Sequence, residues 1–353
     1  MKKNIEKIAI IGLGYVGLPL AIGFSKKYEV IGFDINKKRV KDLSNGNDST
    51  NEIVNKKDLL NQNIIYSSDP RSMKGSNFYI ITVPTPTNKN NKPDLSIIGK
   101  AANLVAPILE KGAIIILEST VYPGVTENYL VPILSKGSNL HHKKDFFVGY
   151  SPERINPGES KYKLTNIKKV ISADNKKTLS AISKLYKSII KAGVHKVSSI
   201  KVAEASKAIE NAQRDINIAF VNEVMMLSKA LNIDSNEVLE AAGTKWNFLN
   251  FKPGLVGGHC IGVDPYYLAE AGRKVNYKTE IILAGRKVND SMPAYLYKNI
   301  NKSINKNSRI LLLGLTFKED VGDIRNSKSA ELANKIIKGN FDLDCYDPKA
   351  NKV

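Results

Sequence analysis

The feature that most narrows the fold is a run of three glycines in a fixed register. Gly12-Leu13-Gly14-Tyr15-Val16-Gly17 follows an apolar run at residues 8–11 and opens a helical pattern through residues 20–24. A strand that turns this sharply into a helix aims free backbone N–H groups at whatever lies beyond the turn, and that favours a phosphate. Gly12 permits the turn, Gly14 lets a pyrophosphate approach the backbone, and Gly17 lets helix and strand pack closely. A second apolar strand ends in Asp34, 22 residues after Gly12. An acid at that place grips the ribose diol of an adenosine and disfavours a 2′-phosphate, so NAD is expected rather than NADP. Tyr15, Val16 and Arg39 join the expected cofactor side, although Lys37, Lys38 and Arg39 together leave room for a phosphate. The alternative is a glycine-rich turn that holds no ligand.

At 353 residues the chain has the length of two or three domains. In its first half, apolar runs at residues 30–33, 78–83, 114–117 and 146–149 alternate with helical patterns. That is the pattern of βαβ units and a parallel, doubly wound sheet. From about Lys201 the pattern changes to a long helix over residues 201–231 with no Pro or Gly inside it. A second helix is expected over residues 234–242, capped by Asp234 or Ser235, and more helix after Pro265. A helix as long as the first is a natural dimer surface. Near Ser308 the βα signal returns, with strands at Arg309–Leu313 and Asp342–Tyr346 and a helix over residues 329–338. One helix and two strands are too few to close an α/β domain, so a truncated chain is expected. The expected division is α/β at residues 1–198, all-helical at 199–305, and the start of a second, truncated Rossmann-like domain at 306–353.

Lys and Arg outnumber Asp and Glu by 53 to 34, a formal charge of +19. So basic a chain invites a nucleic-acid reading. The lysines, however, fall singly and in pairs with no long basic block and no aromatic interleaving, so no nucleic-acid partner is expected. A basic surface still attracts anionic small molecules. Two cysteines, Cys260 and Cys345, exclude a disulfide scaffold and fit a reducing cytoplasm. The four histidines have no zinc spacing, and His141-His142 shows no cysteine or carboxylate partner nearby, so no metal is expected. Lys2, Lys3 and Lys7 before an apolar run resemble a signal peptide. The glycine register within that run, and Lys26-Lys27 where a cleavage site should lie, argue against one. No apolar stretch approaches the ~20 residues that span a bilayer, and no membrane partner is expected.

Further motifs sit where strands end. Val83-Pro84-Thr85-Pro86-Thr87 reads either as a cofactor-side loop or as a rigid proline turn. In Glu118-Ser119-Thr120 a hydroxyl could hold water or a ribose, or merely cap a helix. Ser151-Pro152-Glu153-Arg154 offers a carboxylate as a general base. On the long helix Lys207 and Asn211 share a face, with Arg214 near by. They form either an oxyanion-stabilising pair or a solvated stripe. Gly257-Gly258-His259-Cys260-Ile261-Gly262-Val263-Asp264-Pro265 places a cysteine in a glycine-rich turn just before a helix start, where a thiolate is favoured. Asp264 could orient a water or the thiol. Lys318 and Arg325 flank a charged loop after the last apolar strand but one and could meet phosphates or sugar hydroxyls.

Taken in order, GLGYVGLP, VPTP, EST, SPER, EASKAIEN, VGGHCIGVDPYYL and FKEDVGDIRNS closely resemble the UDP-glucose/GDP-mannose dehydrogenase family, from about residue 8 to the last. The resemblance implies NAD-dependent, four-electron oxidation of the C6 alcohol of a nucleotide sugar to a carboxylate. It implies an NAD domain, a helical dimerisation domain and an incomplete UDP-sugar-binding domain over the ranges given above, with a homodimer through the long helix. It makes Cys260 the nucleophile, Lys207 and Asn211 the oxyanion pair, and Asp264 the acid working with Lys207. Thr120 and Glu153 become water and thioester-hydrolysis residues, Lys318 a substrate contact and Arg325 a late cofactor contact. Thr85 and Thr120 join the cofactor side. Arg154, Phe251, Gly254, Gly257 and His259 join the substrate side. The His259-Cys260 pair with residues 263–267 resembles the branch acting on UDP-N-acetylhexosamines, whose products serve surface polysaccharide. Alternatives are a UDP-glucose or GDP-mannose enzyme, a β-hydroxyacid-type dehydrogenase that transfers one hydride, and an inactive NAD-binding fragment.

Overall fold

A computed structural model describes residues 7–50, 55–88, 90–153, 164–258, 261–305, 307–319 and 321–350. The chain divides into two compact units, Met1–Lys207 and Ala208–Val353. The first unit holds eight strands: β1 (Lys7–Ile11), β2 (Glu29–Phe33), β3 (Ile64–Ser67), β4 (Phe78–Ile81), β5 (Ile114–Leu117), β6 (Phe147–Tyr150), β7 (Lys169–Ala173) and β8 (Val194–Lys196). Their helices are α1 (Gly17–Ser25), α2 (Lys37–Ser44), α3 (Lys56–Leu59), α4 (Ser96–Val105), α5 (Val131–Ser138) and α6 (Lys176–Lys187). The strands form one sheet in the order β3-β2-β1-β4-β5-β6-β7-β8.

Strands β1 to β6 run parallel, as the sequence pattern predicts. Their isoleucine-rich runs are buried, as parallel strands covered on both faces must be. Ile8, Ile10, Val30, Ile80 and Ile116 pack with Leu18 and Phe24 of α1 and with Ile182, Leu185 and Tyr186 of α6. Strands β3, β7 and β8 carry no clear sequence signal. The sheet also departs from a purely parallel one, because β7 pairs antiparallel with β6, Gly149 opposite Ala173 and Tyr150 opposite Ser172. The amino end of β7 therefore lies at the carboxyl edge of the parallel strands.

The long helix α7 (Ile200–Ala230) begins in the first unit and continues into the second. It is followed by α8 (Ser235–Gly243), α9 (Asp264–Lys274), α10 (Glu280–Ser303), β9 (Arg309–Leu313), α11 (Lys328–Lys338) and β10 (Asp342–Tyr346). The Asp234 carboxylate caps α8 at the Asn236 N–H, and Pro265 occupies the first turn of α9, where its missing N–H costs nothing. Strands β9 and β10 pair in parallel. On one face Ile310, Leu312 and Leu343 pack against Leu332, Ile336 and Phe341.

Arg286 of α10 staples the second unit. Its guanidinium is 2% exposed and bridges Asp215 of α7 (2.6 Å) and Asp290 (2.5 Å). Asp290 also accepts from Lys328 of α11 (3.0 Å) and from the Tyr266 hydroxyl of α9 (2.8 Å). Burial alone would raise the Asp290 carboxyl, but Arg286, Lys328 and Tyr266 outweigh it and hold it below the usual carboxylate range. An acid depressed in the folded state stabilises above its unfolded pKa of about 3.9, and this contribution is lost as pH falls through the lower folded value. Urea unfolding of Asp290→Asn is expected to show lower stability at pH 7 and a flatter loss below about pH 4 than the parent chain.

Candidate active site

The glycine turn has the geometry of a cofactor cradle. Gly12 has φ +97°, and a Cβ at Gly17 would overlap the Gly12 carbonyl oxygen. A Cβ at Gly14 would meet nothing within 4 Å, so open space lies over the backbone where a pyrophosphate would sit. The half-buried Asp34 carboxylate accepts from the Leu13 N–H and the Asn36 N–H, both at 2.9 Å. Each oxygen keeps acceptor capacity for a ribose hydroxyl. Arg39 lies at this turn as a clamp. Its Nε and Nη2 donate to the Leu13 carbonyl at 3.1 and 2.9 Å, and its Nη1 pairs with Asp48 at 2.7 Å. These residues fit NAD.

Hydrogen bonds join the loops at this edge. The Thr82 hydroxyl donates to the Gly12 carbonyl (2.8 Å) and Ser119 to the Val83 carbonyl (2.6 Å). Thr85 donates to the Thr120 carbonyl (2.8 Å), so two expected cofactor residues are neighbours. Glu153 is half-buried just beyond β6. The turn after Thr120 is anchored by Glu204 of α7, whose buried carboxylate accepts from the Gly124 N–H (2.5 Å), the Thr126 N–H (2.9 Å) and the Thr126 hydroxyl (2.7 Å). Burial pushes this carboxyl up, and the donors pull it partly back.

Helix α7 is amphipathic in the inverted sense. Glu204, Lys207, Asn211, Asp215 and Asn222 fall within a sector of about 80° at about 100° per residue, and all are buried. Lys207 is 7% and Asn211 4% exposed, which excludes the solvated stripe. Arg214, by contrast, is exposed and pairs with Glu210. Within the second unit the Asn211 amide donates to the Asp264 carboxylate at 2.5 Å. The predicted oxyanion residue and the predicted acid are therefore partners. Asn222 exchanges two hydrogen bonds with the Gly254 backbone (2.8 and 3.0 Å) and donates to Asn289 (2.8 Å).

The loops named for the substrate meet in the second unit. The Phe317 ring packs on Gly258, which has φ +83° and no room for a Cβ. The Gly258 N–H donates to the Asn326 carbonyl (3.1 Å), and Gly257 lies against the same peptide. Lys318 stands next to Phe317 on the loop after β9, and its carbonyl accepts from Thr316 (3.0 Å). Arg325 forks onto Asp323, with 2.5 Å from Nη2. Phe251 is half-buried and Gly254 is exposed. Arg154, His259 and Cys260 lie outside the described residues.

Sequence reasoning missed Glu204, Asp215 and Asn222, although they repeat in the period of Lys207 and Asn211. It also missed Lys169, a lone charge in a short strand with no motif around it. The expectation for His141-His142 needs correction. His141 approaches Asp145 at 3.4 Å and His142 pairs with Asp174 at 3.0 Å, because β7 delivers Asp174 from 32 residues away. Among the described residues no helix is long and apolar enough to cross a membrane.

Fold and site together define an NAD-dependent nucleotide-sugar dehydrogenase. The chain belongs to the UDP-glucose/GDP-mannose dehydrogenase family, matching its NAD binding domain over residues 6–190, its central domain over 201–291 and its UDP binding domain over 311–353. It is 51% identical over 348 residues to UDP-N-acetyl-D-glucosamine 6-dehydrogenase of Salmonella typhi, covering 97% of this chain and 82% of that one. It is 50% identical over 353 residues to protein CapL of Staphylococcus aureus, covering 98% and 83%. Among solved structures, UDP-D-ManNAc dehydrogenase from Pyrococcus horikoshii superposes with a TM-score of 0.89 at 32% identity, covering 98% of this chain and 84% of that one.

The cradle makes a direct prediction. Gly17→Ala would force the Gly12 carbonyl aside, and NADH affinity read by fluorescence titration is expected to fall about tenfold or more. Unchanged affinity would refute the close approach.

Proposed function

We propose that the chain oxidises the C6 alcohol of a UDP-N-acetylhexosamine, UDP-N-acetylglucosamine foremost, to the uronic acid. One observation carries the chemistry: a lysine and an amide buried one turn apart on α7, the amide bonded to Asp264 four residues past Cys260. The choice of sugar rests on identity, 51% to the Salmonella typhi N-acetylglucosamine enzyme against 32% to the Pyrococcus horikoshii ManNAc enzyme. The product suits surface polysaccharide synthesis.

NAD⁺, when bound, would supply the hydride acceptor for each of the two oxidations at C6. Gly12, Gly14 and Gly17 would hold its pyrophosphate and Asp34 its ribose, with Tyr15, Val16, Arg39, Thr85, Thr120 and Arg325 completing the set. Lys207 and Asn211 stabilise the negative oxygen on C6, Asn211 with the amide hydrogen that Asp264 does not take. Cys260 adds its sulfur to the aldehyde carbon, giving a thiohemiacetal, and loss of the second hydride leaves a thioester. Water held by Thr120 and deprotonated by Glu153 attacks that carbon, the C–S bond breaks, and sulfur leaves as thiolate. Lys318, Arg154, Phe251, Gly254, Gly257 and His259 face the substrate. A thiol nucleophile fed by NAD and a nucleotide sugar suits the reducing cytoplasm.

The same reading gives a homodimer through α7. Opposite its buried polar face, Val202, Ile209, Phe220 and Leu227 repeat at seven and eleven residues and are 45 to 57% exposed. An apolar stripe of this kind on a helix marks a contact surface.

Two NADH per UDP-N-acetylglucosamine consumed are expected, with Cys260→Ala releasing none in steady state. One NADH per sugar, with the alanine variant active, would instead make this a single-hydride dehydrogenase. Light scattering is expected to report a dimer for the parent chain and a monomer for Phe220→Glu/Leu227→Glu. A dimer surviving both charges would place the interface elsewhere.

A further inference from the structure

The reversed strand β7 brings a lysine to the edge where the reacting loops lie. In the β6–β7 register each step forward on β6 is a step back on β7. Three steps beyond the Tyr150–Ser172 pair stand Glu153 and Lys169. A parallel β7 would have put Lys169 at the far edge of the sheet. Here its ammonium is buried and donates to the Glu118 carboxylate at 2.8 Å and to the Pro152 carbonyl at 3.3 Å. The other Glu118 oxygen accepts from the Tyr186 hydroxyl of α6. Glu118 lies two residues before Thr120, and Pro152 is the residue before Glu153. The ammonium thus joins the two loops named for hydrolysis by one side chain.

We infer that Lys169 is a positioning residue for thioester hydrolysis, holding the Glu118-Ser119-Thr120 and Pro152-Glu153 segments at a fixed separation. The inference rests on the hydrolytic role proposed above for Thr120 and Glu153. In that step the oxygen of water bonds to the thioester carbon, its proton passes to the Glu153 carboxylate, and the C–S bond breaks to release thiolate. Water and base must approach one carbon together, so a shift of an ångström between the loops slows this step far more than it weakens binding. A buried ion pair is a poor source of stability and a good source of fixed geometry. With three donors, the ammonium serves the Glu118 carboxylate and the Pro152 carbonyl at once. Burial raises the Glu118 carboxyl, Lys169 and Tyr186 lower it, and repulsion from Glu153 adds to the rise, so Glu153 lies within the field of the same cluster.

The test compares the full chain with Lys169→Met and with Glu118→Gln/Lys169→Met, which leaves no buried charge unpaired. UDP-N-acetylglucosamine and NAD⁺ are mixed rapidly with each protein and NADH is followed. Both variants are expected to release two NADH per active site in a burst, then turn over about tenfold or more slowly, with kcat and KM for the sugar falling together so that kcat/KM is nearly unchanged. The double variant is expected to recover the melting temperature that the single one loses, without recovering turnover. Hydrogen exchange of peptides spanning residues 147–153 is expected to rise in the double variant while peptides of β1 stay protected. A double variant that regains both melting temperature and burst-free turnover would reduce Lys169 to a structural residue and overturn the inference. Should the parent chain release no NADH from this sugar, the functional reading fails separately, and unchanged exchange over residues 147–153 would still overturn the loop-holding role.

Discussion

Helix α7 buries its polar face, and much of the structure answers that one constraint. A carboxylate, an ammonium or an amide taken out of water without a partner is penalised by several kcal/mol. Partners must therefore come from elsewhere in the chain. Glu204 receives three donors from the turn at Gly124–Thr126. Asn211 finds Asp264 at the start of α9, Asp215 finds Arg286 and Asn289 on α10, and Asn222 finds the Gly254 backbone. The Glu204, Asn211 and Asn222 links hold segments that carry named site residues, and the Asp215 link holds α10. Within each unit the polar stripe thus holds segments distant in sequence against its own part of the helix. An apolar stripe would bury more comfortably, but it would have no directional contacts with which to set their register.

The sheet shows the same economy at its carboxyl edge. Parallel strands deliver their loops to that edge one after another, and the glycine turn, Thr82–Thr85, Ser119–Thr120 and Glu153 all arrive that way. What parallel strands cannot do is deliver the first residue of a strand there. The reversal at β7 does so, bringing Lys169 and, at the other end of the strand, the Asp174 that meets His142. The antiparallel pair is a functional part of an otherwise parallel design.

These two devices mark the limit of what the sequence made legible. The glycine register, the five apolar strands and the long helix were readable because each is a local pattern: fixed spacing, an unbroken buried run, a period without Pro or Gly. Asp34 was readable because its distance from Gly12 is set by one βαβ unit. The polarity of α7 was not, since a helical period groups Lys207 with Asn211 but does not say whether that face meets water or protein. Nor was the task of Arg39, whose grip on the Leu13 carbonyl spans 26 residues. Strands β3, β7 and β8 carry polar residues, Tyr66-Ser67, Lys169 with Ser172, and His195-Lys196, that interrupt an apolar run. The direction of a strand is specified by nothing local at all.

The residues least visible in sequence are those that act through other residues. A cysteine in a glycine turn stands out in sequence because the whole motif is local. Lys169, Glu204 and Asn222 constrain atoms 17 to 80 positions away. Their surroundings in the chain are ordinary strand and helix. They become identifiable only when burial is set beside hydrogen bonding, because a buried charge or amide persists in a fold only where its partners are worth holding. In this chain those partners are backbone groups of the loops that carry Thr120, Glu153 and Gly254. The geometry of a multi-step oxidation then depends less on the reacting side chains themselves than on polar residues one layer behind them. Such residues can be exchanged for apolar ones with little loss of stability, but the placement of those loops is lost with them.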